Sequence, residues 1–390
     1  MEELSVIFVD SIEDIGREEW NALSGTENPF TRYEFLHSLE VTGCTTEKTG
    51  WKPMHVWVTK QKVEAKIEKE TVAIMPLFLK NNSWGEYVFD WSWADAYARY
   101  GLNYYPKLVT SIPFTPSVGP RVFINSGVSN LEVMELIFKN VKAKAEVLAA
   151  SSWHILFPSK EEYQCLKALN ISARIATQFH WYNKGYASFE SFLEALNSRK
   201  RKAIRKERAE IKNEGIVFRR TEGRDISEEQ WADFYLFYQT TYLARGMQGY
   251  LEMDFFLKIA ECMPDQILLI NAICDEKDIA AALFFKSKEK LFGRYWGSRY
   301  EQQFLHFETC YYQGQEYAIE NNLKSFDSGA QGEHKIQRGF EPIFTYSNHW
   351  IANKKFSDAV DEFVEEERSH ILRYREEAES LLPFKKTQSS

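Results

Sequence analysis

One short stretch, residues 326–340, concentrates the residue types that carry out acid–base and anion-binding chemistry. Glu333 and His334 can take up or release a proton, and Lys335 and Arg338 can hold an anion. The glycines between them favour backbone bends or the close approach of a ligand. A segment that only filled a core would be apolar and periodic, and this one is neither. Glu333 or His334 is therefore the preferred catalytic base, and a solvated turn is the competing interpretation.

Further residues with suitable chemistry precede this stretch or lie within it. His306 and Glu308 stand at the start of a predicted helix, where the helix dipole favours a carboxylate, and are reserve candidates for the base. Both could equally be capping groups. Gln331, with neighbouring backbone N–H groups, could stabilise an oxyanion. Trp296 and Tyr311 are candidates for substrate contacts.

A basic run predicts a local anion-binding surface. Lys200, Arg201, Arg205 and Arg208 are its candidate phosphate ligands, and the three arginines would share one face of a helix. The net charge of −8 provides no global field that attracts nucleic acid, so any anion site must be local. A charge run is usually a solvated helix face, but residues 198–208 contain only one acid.

An aromatic, proline-rich stretch, residues 91–121, is a candidate wall of a substrate pocket. Tyrosine and tryptophan combine a large ring with a polar atom, which suits a binding surface. Trp91, Asp95 and Arg121 are the candidate substrate contacts. The alternative is an aromatic core with proline turns. The pattern before the stretch predicts a strand over residues 87–93.

Several classes of protein are disfavoured. The five cysteines are scattered and the eight histidines show no paired helical spacing, so we predict no metal site. No Walker-type loop and no dinucleotide-binding glycine motif is present. The N-terminus resembles no secretory signal, and no stretch approaches the roughly twenty apolar residues that span a bilayer. We therefore expect a cytoplasmic protein without a membrane span.

The elements that must position these residues repeat along the chain. An apolar run over residues 72–80 is followed by Trp91, and a similar run over residues 279–286 is followed at nearly the same interval by Trp296. Each copy precedes a long helix and another strand. This is the pattern of a duplicated α/β unit in which a mostly antiparallel sheet is flanked by helices.

Three segments follow from this pattern. We predict an N-terminal domain over residues 1–180 and a C-terminal domain over residues 181–357, which carries the basic helix 198–212. A closing acidic helix and tail cover residues 358–390. The basic helix is predicted to belong to one continuous helix over residues 189–213, and the charged residues 60–70 to form an exposed hairpin tip.

Six motifs together resemble a family of predicted N-acyltransferases in the GNAT superfamily, related to the Fem-type aminoacyltransferases of peptidoglycan synthesis. These motifs are the segments 85–91, 104–108, 113–116, 199–208, 306–313 and 329–335. The resemblance extends over nearly the whole chain. It implies tandem GNAT-like domains and the transfer of an acyl group to an amine acceptor.

The resemblance also bears on the donor. It implies acyl-CoA or an aminoacyl-tRNA as a co-substrate, so tRNA is a possible partner, and no tightly bound cofactor. GNAT enzymes that use acyl-CoA carry a glycine-rich pyrophosphate loop, which neither the segment 119–121 nor the segment 297–299 reproduces. This departure favours aminoacyl-tRNA. The alternative function is a non-catalytic binding protein that recognises a peptidoglycan precursor or RNA.

Overall fold

The computed structural model describes three ranges of the chain, residues 4–61, 69–330 and 332–385. The chain forms two compact units. The N-terminal unit comprises residues 1–176 and 344–372, and the C-terminal unit comprises residues 177–343 and 373–390. The first unit thus takes up a segment from late in the chain, which no local pattern in the sequence marked.

Fifteen strands occur in the described residues. In chain order they are β1 Leu4–Val9, β2 Lys52–Pro53, β3 His55–Gln61, β4 Lys69–Met75, β5 Phe78–Lys80, β6 Lys107–Thr110, β7 Phe123–Ile124, β8 Ser152–Leu156, β9 Ser172–Tyr182, β10 Val217–Glu222, β11 Ile267–Cys274, β12 Lys277–Lys286, β13 Lys290–Ser298, β14 Ser325–Asp327 and β15 Glu341–Ile351.

Twelve α-helices occur in the same residues. They are α1 Arg17–Ser24, α2 Tyr33–Val41, α3 Trp91–Arg99, α4 Asn130–Val147, α5 Lys160–Ala168, α6 Phe189–Ala195, α7 Ser198–Asn213, α8 Glu228–Leu243, α9 Met253–Cys262, α10 Leu305–Phe307, α11 Gln313–Glu320 and α12 Lys354–Ser380. A π-helix, Glu308–Tyr312, joins α10 to α11, and a 3-10 helix covers Glu333–Arg338.

The strands of each unit are mostly antiparallel. In the N-terminal unit one sheet has the order β1-β3-β4-β7, and a second group has the order β2-β5-β6-β8-β15, in which β6 and β8 are parallel. In the C-terminal unit the order is β10-β11-β12-β13-β14-β9, in which β13 and β14 are parallel. Residues 279–285 of β12 are continuously apolar and all buried, as expected for a strand covered on both faces. The predicted fold class is confirmed.

The predicted strand over residues 87–93 is wrong, because α3 begins at Trp91. Trp93 and Tyr97, four positions apart, are buried on one face of this helix, whereas Trp91 and Asp95 are exposed. Aromatic residues at alternating positions match the strand period, but the buried pair follows the helical period. Tertiary packing therefore overrides the local strand preference.

The basic helix differs in extent from its prediction. The predicted helix over residues 189–213 is interrupted at Leu196, and Asn197 caps the N-terminus of α7 by accepting a hydrogen bond from the backbone N–H of Lys200 at 3.0 Å. Ile204 and Ile211 of α7 are buried, so its apolar face points to the core as predicted. In the predicted hairpin tip, residues 62–68 lie outside the described residues.

Candidate active site

A small cavity lies beside the parallel strands β13 and β14 in the C-terminal unit. This inner cavity has a volume of about 100 Å³, and its lining includes Arg294 and Trp296 of β13, Cys310 and Tyr311 of the π-helix, and Ser328 just after β14. Ser328 Oγ is buried and has no hydrogen-bond partner within the described residues. A ligand in the cavity could therefore supply a polar group to this hydroxyl.

A larger outer cavity adjoins the inner one. It has a volume of about 740 Å³, and Trp296 and His306 line both cavities. Arg245 and Arg299 contribute positive charge to the outer cavity. A ligand in the outer cavity would thus reach the inner cavity past Trp296 and His306. The two arginines would attract an anionic ligand to the outer cavity.

A buried ion pair fixes the end of β14. Asp327 is fully buried and accepts hydrogen bonds from Arg294, with Nη1 at 3.1 Å from Oδ1 and Nη2 at 2.7 Å from Oδ2. Burial alone would raise the pKa of Asp327, but Arg294 and His180 outweigh it and hold that pKa well below its usual range. His180, opposite Asp327 in the register of β9 and β14, has its pKa lowered to about 4 by burial. The Arg294–Asp327 pair is therefore charged at neutral pH, and the His180 imidazole beside it is neutral.

Lys335 has a pKa closer to neutral pH than the histidines beside it. Its side chain is buried, and Nζ donates hydrogen bonds to the backbone oxygens of Ser328 at 3.1 Å and Gly329 at 2.9 Å. Burial lowers the pKa of Lys335 to about 8, although the Asp327 carboxylate opposes this shift. Lys335 therefore exchanges a proton near physiological pH, next to the residue whose hydroxyl lines the inner cavity.

Two histidines lie next to Tyr311. His334 Nε2 is 2.9 Å from the Tyr311 hydroxyl, and the His306 ring is 5.2 Å from the Tyr311 ring. Burial and the nearby cations lower the pKa of both His334 and His306 to about 4. Both rings are neutral at pH 7 and can accept hydrogen bonds, but they are weak bases. A pKa near 8 matches the working pH better, so Lys335 is the stronger candidate for proton transfer.

The predicted carboxylate bases lie in different surroundings. Glu333 is exposed and accepts a hydrogen bond from the Tyr374 hydroxyl at 2.9 Å. Glu308 is buried, and its carboxylate is bound by Arg208, with Nη2 at 2.9 Å, and by Gln313 Nε2 at 2.8 Å. Neither carboxylate lines the inner cavity. Their catalytic roles stay predictions, and the contacts of Glu308 are those of a structural anchor.

The predicted phosphate ligands divide into two groups. Arg208 is bound to Glu308 and Glu316, and Arg205 forms an ion pair with Glu190. The remaining two, Lys200 and Arg201, are intermediate in exposure, and neither forms an ion pair within the described part of the chain. The phosphate-binding role of all four residues stays a prediction.

Arg338 and Gln331 complete the predicted residues of this unit. The Arg338 guanidinium stacks 3.4 Å from the centroid of the Phe307 ring, and Nη2 donates to Glu207 at 2.9 Å. Arg338 is therefore strongly engaged by the protein itself. Gln331 lies outside the described residues, so its role as an oxyanion donor stays a prediction.

Three predicted substrate contacts belong to the N-terminal unit. Trp91 is partly exposed and packs edge-on against Trp84 with ring centroids 5.0 Å apart, and Asp95 is exposed. Arg121 is fully buried and donates to backbone oxygens, including Leu156 O at 2.9 Å. Trp91 and Asp95 are thus open to solvent, whereas Arg121 secures the backbone around it. Their roles in substrate binding stay predictions.

The N-terminal unit also buries a network of charges. Lys107 at the start of β6 is fully buried, and its Nζ donates to Ser83 Oγ at 2.8 Å and to Glu86 Oε2 at 2.8 Å and contacts the Asp90 carboxylate. Asp90 also accepts a hydrogen bond from the Tyr104 hydroxyl at 2.6 Å. The motifs 85–91 and 104–108 therefore meet in space, and their charged residues neutralise one another.

Glu86 makes the stability of this network depend on pH. Burial raises the pKa of Glu86 to about 7, since Lys107 opposes the shift only in part. A carboxyl whose pKa is raised in the folded state stabilises the fold below its ordinary pKa, and this contribution is lost as the pH rises to about 7. Burial lowers the pKa of Lys80 to about 7, so the contribution of Lys80 to stability increases as the pH rises above 7.

We therefore expect the Glu86→Gln variant to lack one pH-dependent contribution to stability. Between pH 4.5 and 7 the unfolding free energy of the parent, relative to the variant, should fall by roughly 3 kcal/mol. Urea denaturation at several pH values measures this difference. A difference that stays constant over the range would contradict the assignment.

Sequence reasoning missed several residues of the site. Arg294 directly precedes an aromatic pair, and His180 stands between a phenylalanine and a tryptophan, so both polar residues were visible in the sequence. Cys310 lines the inner cavity, and burial raises the pKa of its thiol well above the usual range. The sequence predicts that Lys335 binds substrate. Its lowered pKa results from burial, which the sequence does not reveal.

Within the described ranges no group of three or more His, Cys, Asp or Glu residues is placed to hold a metal ion, and no helix is both long and apolar enough to cross a membrane.

Solved structures share this fold at low sequence identity. FemX aligns with a TM-score of 0.52 and 11% identity, covering 88% of this chain and 98% of FemX. The C-terminal domain of a proposed lysylphosphatidylglycerol synthetase from Agrobacterium fabrum aligns with a TM-score of 0.51 and 11% identity, covering 90% and 96% of the two chains. A conserved protein of unknown function from Bacteroides thetaiotaomicron aligns with a TM-score of 0.50 and 10% identity, covering 88% and 99%.

These likenesses concern the fold, since the identities are low. With the two-unit architecture they agree with the tandem GNAT-like arrangement predicted from the sequence. No curated protein matches the sequence. The family comparison covers almost the whole chain: residues 11–386 match the model of the FemAB-like family, described as peptidoglycan biosynthesis and recognition, and the chain therefore belongs to that family.

Proposed function

We propose that the protein is an N-acyltransferase that uses the inner cavity of its C-terminal unit to transfer an acyl or aminoacyl group to an amine. As a FemAB-like protein the chain is a transferase. The observation that carries the finer proposal is Lys335, a buried ammonium with a pKa near 8 beside a cavity that contains an unpartnered hydroxyl. Such a pair suits a reaction that moves a proton and develops charge on an oxygen.

The reaction requires two steps at the inner cavity. The amine nitrogen forms a bond to the donor carbonyl carbon, which gives a tetrahedral oxyanion, and this intermediate then collapses as the bond to the leaving oxygen or sulfur breaks. Neutral Lys335, which lies behind Ser328 and outside the cavity lining, accepts through one water molecule the proton that the amine loses and returns it to the leaving group. Ser328 Oγ can donate a hydrogen bond to the carbonyl oxygen, where negative charge develops. Tyr311, held by His334, can orient the reacting groups.

The volumes of the two cavities suggest how a donor is placed. The inner cavity of about 100 Å³ suits a small acyl or aminoacyl group, and the outer cavity of about 740 Å³ suits the end of the carrier that bears this group. The segment before α10 contains Glu301 and two glutamines in place of the glycine-rich pyrophosphate loop of enzymes that use acyl-CoA. We propose aminoacyl-tRNA as the donor and acyl-CoA as the alternative, with a cytoplasmic location.

The proposal is tested by donor consumption. Purified protein is incubated with amine acceptors, including a peptidoglycan precursor peptide, and with either labelled aminoacyl-tRNA or acyl-CoA. We expect label to pass from tRNA to the acceptor amine, and thiol release from CoA would support the alternative donor. Binding of precursor or RNA without any turnover would instead support the non-catalytic function and contradict the proposal.

A further inference from the structure

A third cavity in the C-terminal unit lies apart from the proposed reaction. It has a volume of about 830 Å³ and is lined by residues of α6, α7 and β10. None of the residues that line the inner or outer cavity lines this one. Its volume falls in the range of about 300–1,000 Å³ that is typical of small-molecule sites.

The floor of this third cavity is apolar. Phe189 and Leu193 of α6 form its base but are only 6% and 2% exposed, so the apolar surface open to a ligand is that of Phe218 and of Val217, which is 60% exposed. Exposed apolar surface of this kind is unfavourable in water, and its burial by a ligand contributes about 25 cal/mol per Å². The floor therefore favours a ligand with a hydrocarbon part.

The lining carries an excess of positive charge. Four cationic side chains and two carboxylates line the cavity, although the chain as a whole has a net charge of −8. Lys212 is exposed and forms no ion pair within the described part of the chain. Among the described residues Arg205 forms one ion pair, with Glu190, and both side chains are about half exposed. An exposed pair of this kind is weak, so a ligand anion can compete for Arg205.

The other charges of the lining are already satisfied. Arg208 neutralises Glu308, and its guanidinium lies 4.5 Å from the centroid of the Phe189 ring. Arg220 binds Glu316 and Glu320. The charge that remains for a ligand is therefore that of Lys212, and that of Arg205 once a ligand anion displaces Glu190 from its weak ion pair.

We propose that this cavity binds a free anionic amphiphile, a single-chain molecule with a phosphate or carboxylate head. The head is held by Lys212 and Arg205, and the chain lies on Val217 and Phe218. A cationic head would be repelled by the same residues, and an inorganic anion would gain nothing from the floor. The inference does not depend on the transfer reaction, because the cavity shares no lining residue with the inner or outer cavity.

The test is calorimetric titration of the whole chain with dodecyl phosphate below its micelle concentration. We expect saturable binding of dodecyl phosphate, and no binding of dodecyltrimethylammonium or inorganic phosphate. The double variant R205Q/K212E should bind about tenfold more weakly, since two partly exposed charge contacts are each worth up to about 1 kcal/mol. Lys206→Glu is the matched control, because Lys206 is exposed on the same helix and does not line the cavity.

Three outcomes would overturn the proposal. The first is no binding of dodecyl phosphate by the parent protein, and the second is equal weakening in R205Q/K212E and in the Lys206→Glu control. The third is binding to phosphatidylglycerol vesicles without binding of the monomeric amphiphile, which would indicate a lipid surface as the partner. Thermal unfolding of all variants shows whether they fold, and we expect equal midpoints because the altered residues are exposed or partly exposed.

Discussion

The Lys335→Met variant is expected to transfer acyl groups at least about 100-fold more slowly than the parent, with its fold retained. Methionine keeps the length and much of the volume of the side chain, so packing changes little. It has no group that accepts a proton, and a positioned acid–base group typically contributes about 100- to 10,000-fold to the rate. The measurement is kcat/KM for the donor identified by the consumption assay.

The pH dependence separates proton transfer from other roles of Lys335. A base acts in its deprotonated form, so the rate of the parent should rise with pH and level off above a midpoint near the Lys335 pKa of about 8. The Lys335→Met variant should lack this rise. His334→Gln is the matched control. Because the pKa of His334 is about 4, its replacement should leave a midpoint near pH 8 unchanged.

Stability provides a second check on the same residue. Lys335 has a lowered pKa in the fold, so its contribution is present above pH 10.5 and is lost as the pH falls through about 8. Below pH 8 the buried ammonium therefore costs about 3 kcal/mol, which its hydrogen bonds to Ser328 and Gly329 partly offset. We expect the free energy of unfolding of the Lys335→Met variant to lie within about 1 kcal/mol of that of the parent at pH 7. Strong destabilisation together with normal transfer would assign Lys335 a structural role.

The second large effect is expected in the N-terminal unit, where Lys107→Met should destabilise the fold by about 3–5 kcal/mol. Lys107 is fully buried and neutralises the buried carboxylates of Glu86 and Asp90. Removing the cation leaves these groups desolvated, so they must either stay charged without a partner or take up protons. Urea denaturation monitored by tryptophan fluorescence measures the change.

Two further variants make this expectation specific. Lys139→Met removes an exposed lysine of α4 in the same unit and should change stability by less than about 0.5 kcal/mol. Adding Glu86→Gln and Asp90→Asn to Lys107→Met removes the unpaired carboxylates and should restore part of the lost stability. If Lys107→Met behaves like Lys139→Met, the buried network contributes nothing to the fold.

The sequence alone determined the class of fold and the location of the candidate chemistry. Repeated apolar runs indicated two α/β units, because strand and helix periods depend on neighbouring residues. The buried isoleucines of α7, Ile204 and Ile211, followed from the same periodicity. The stretch 326–340 stood out because its sequence is rich in charged residues and glycines and follows no apolar period. These are local properties, and local patterns reveal them.

Only the tertiary structure decided which residues of that stretch are suited to proton transfer. Glu333 and Lys335 are close in the sequence, yet Glu333 is exposed and Lys335 is buried with a pKa lowered to about 8. The pairing of His180 with Asp327 arises where β9 meets β14, and that of Lys107 with Glu86 and Asp90 arises where two distant motifs meet. Burial and charge contacts between distant residues set a pKa, so the chemistry of these groups depends on contacts that exist only in the folded chain.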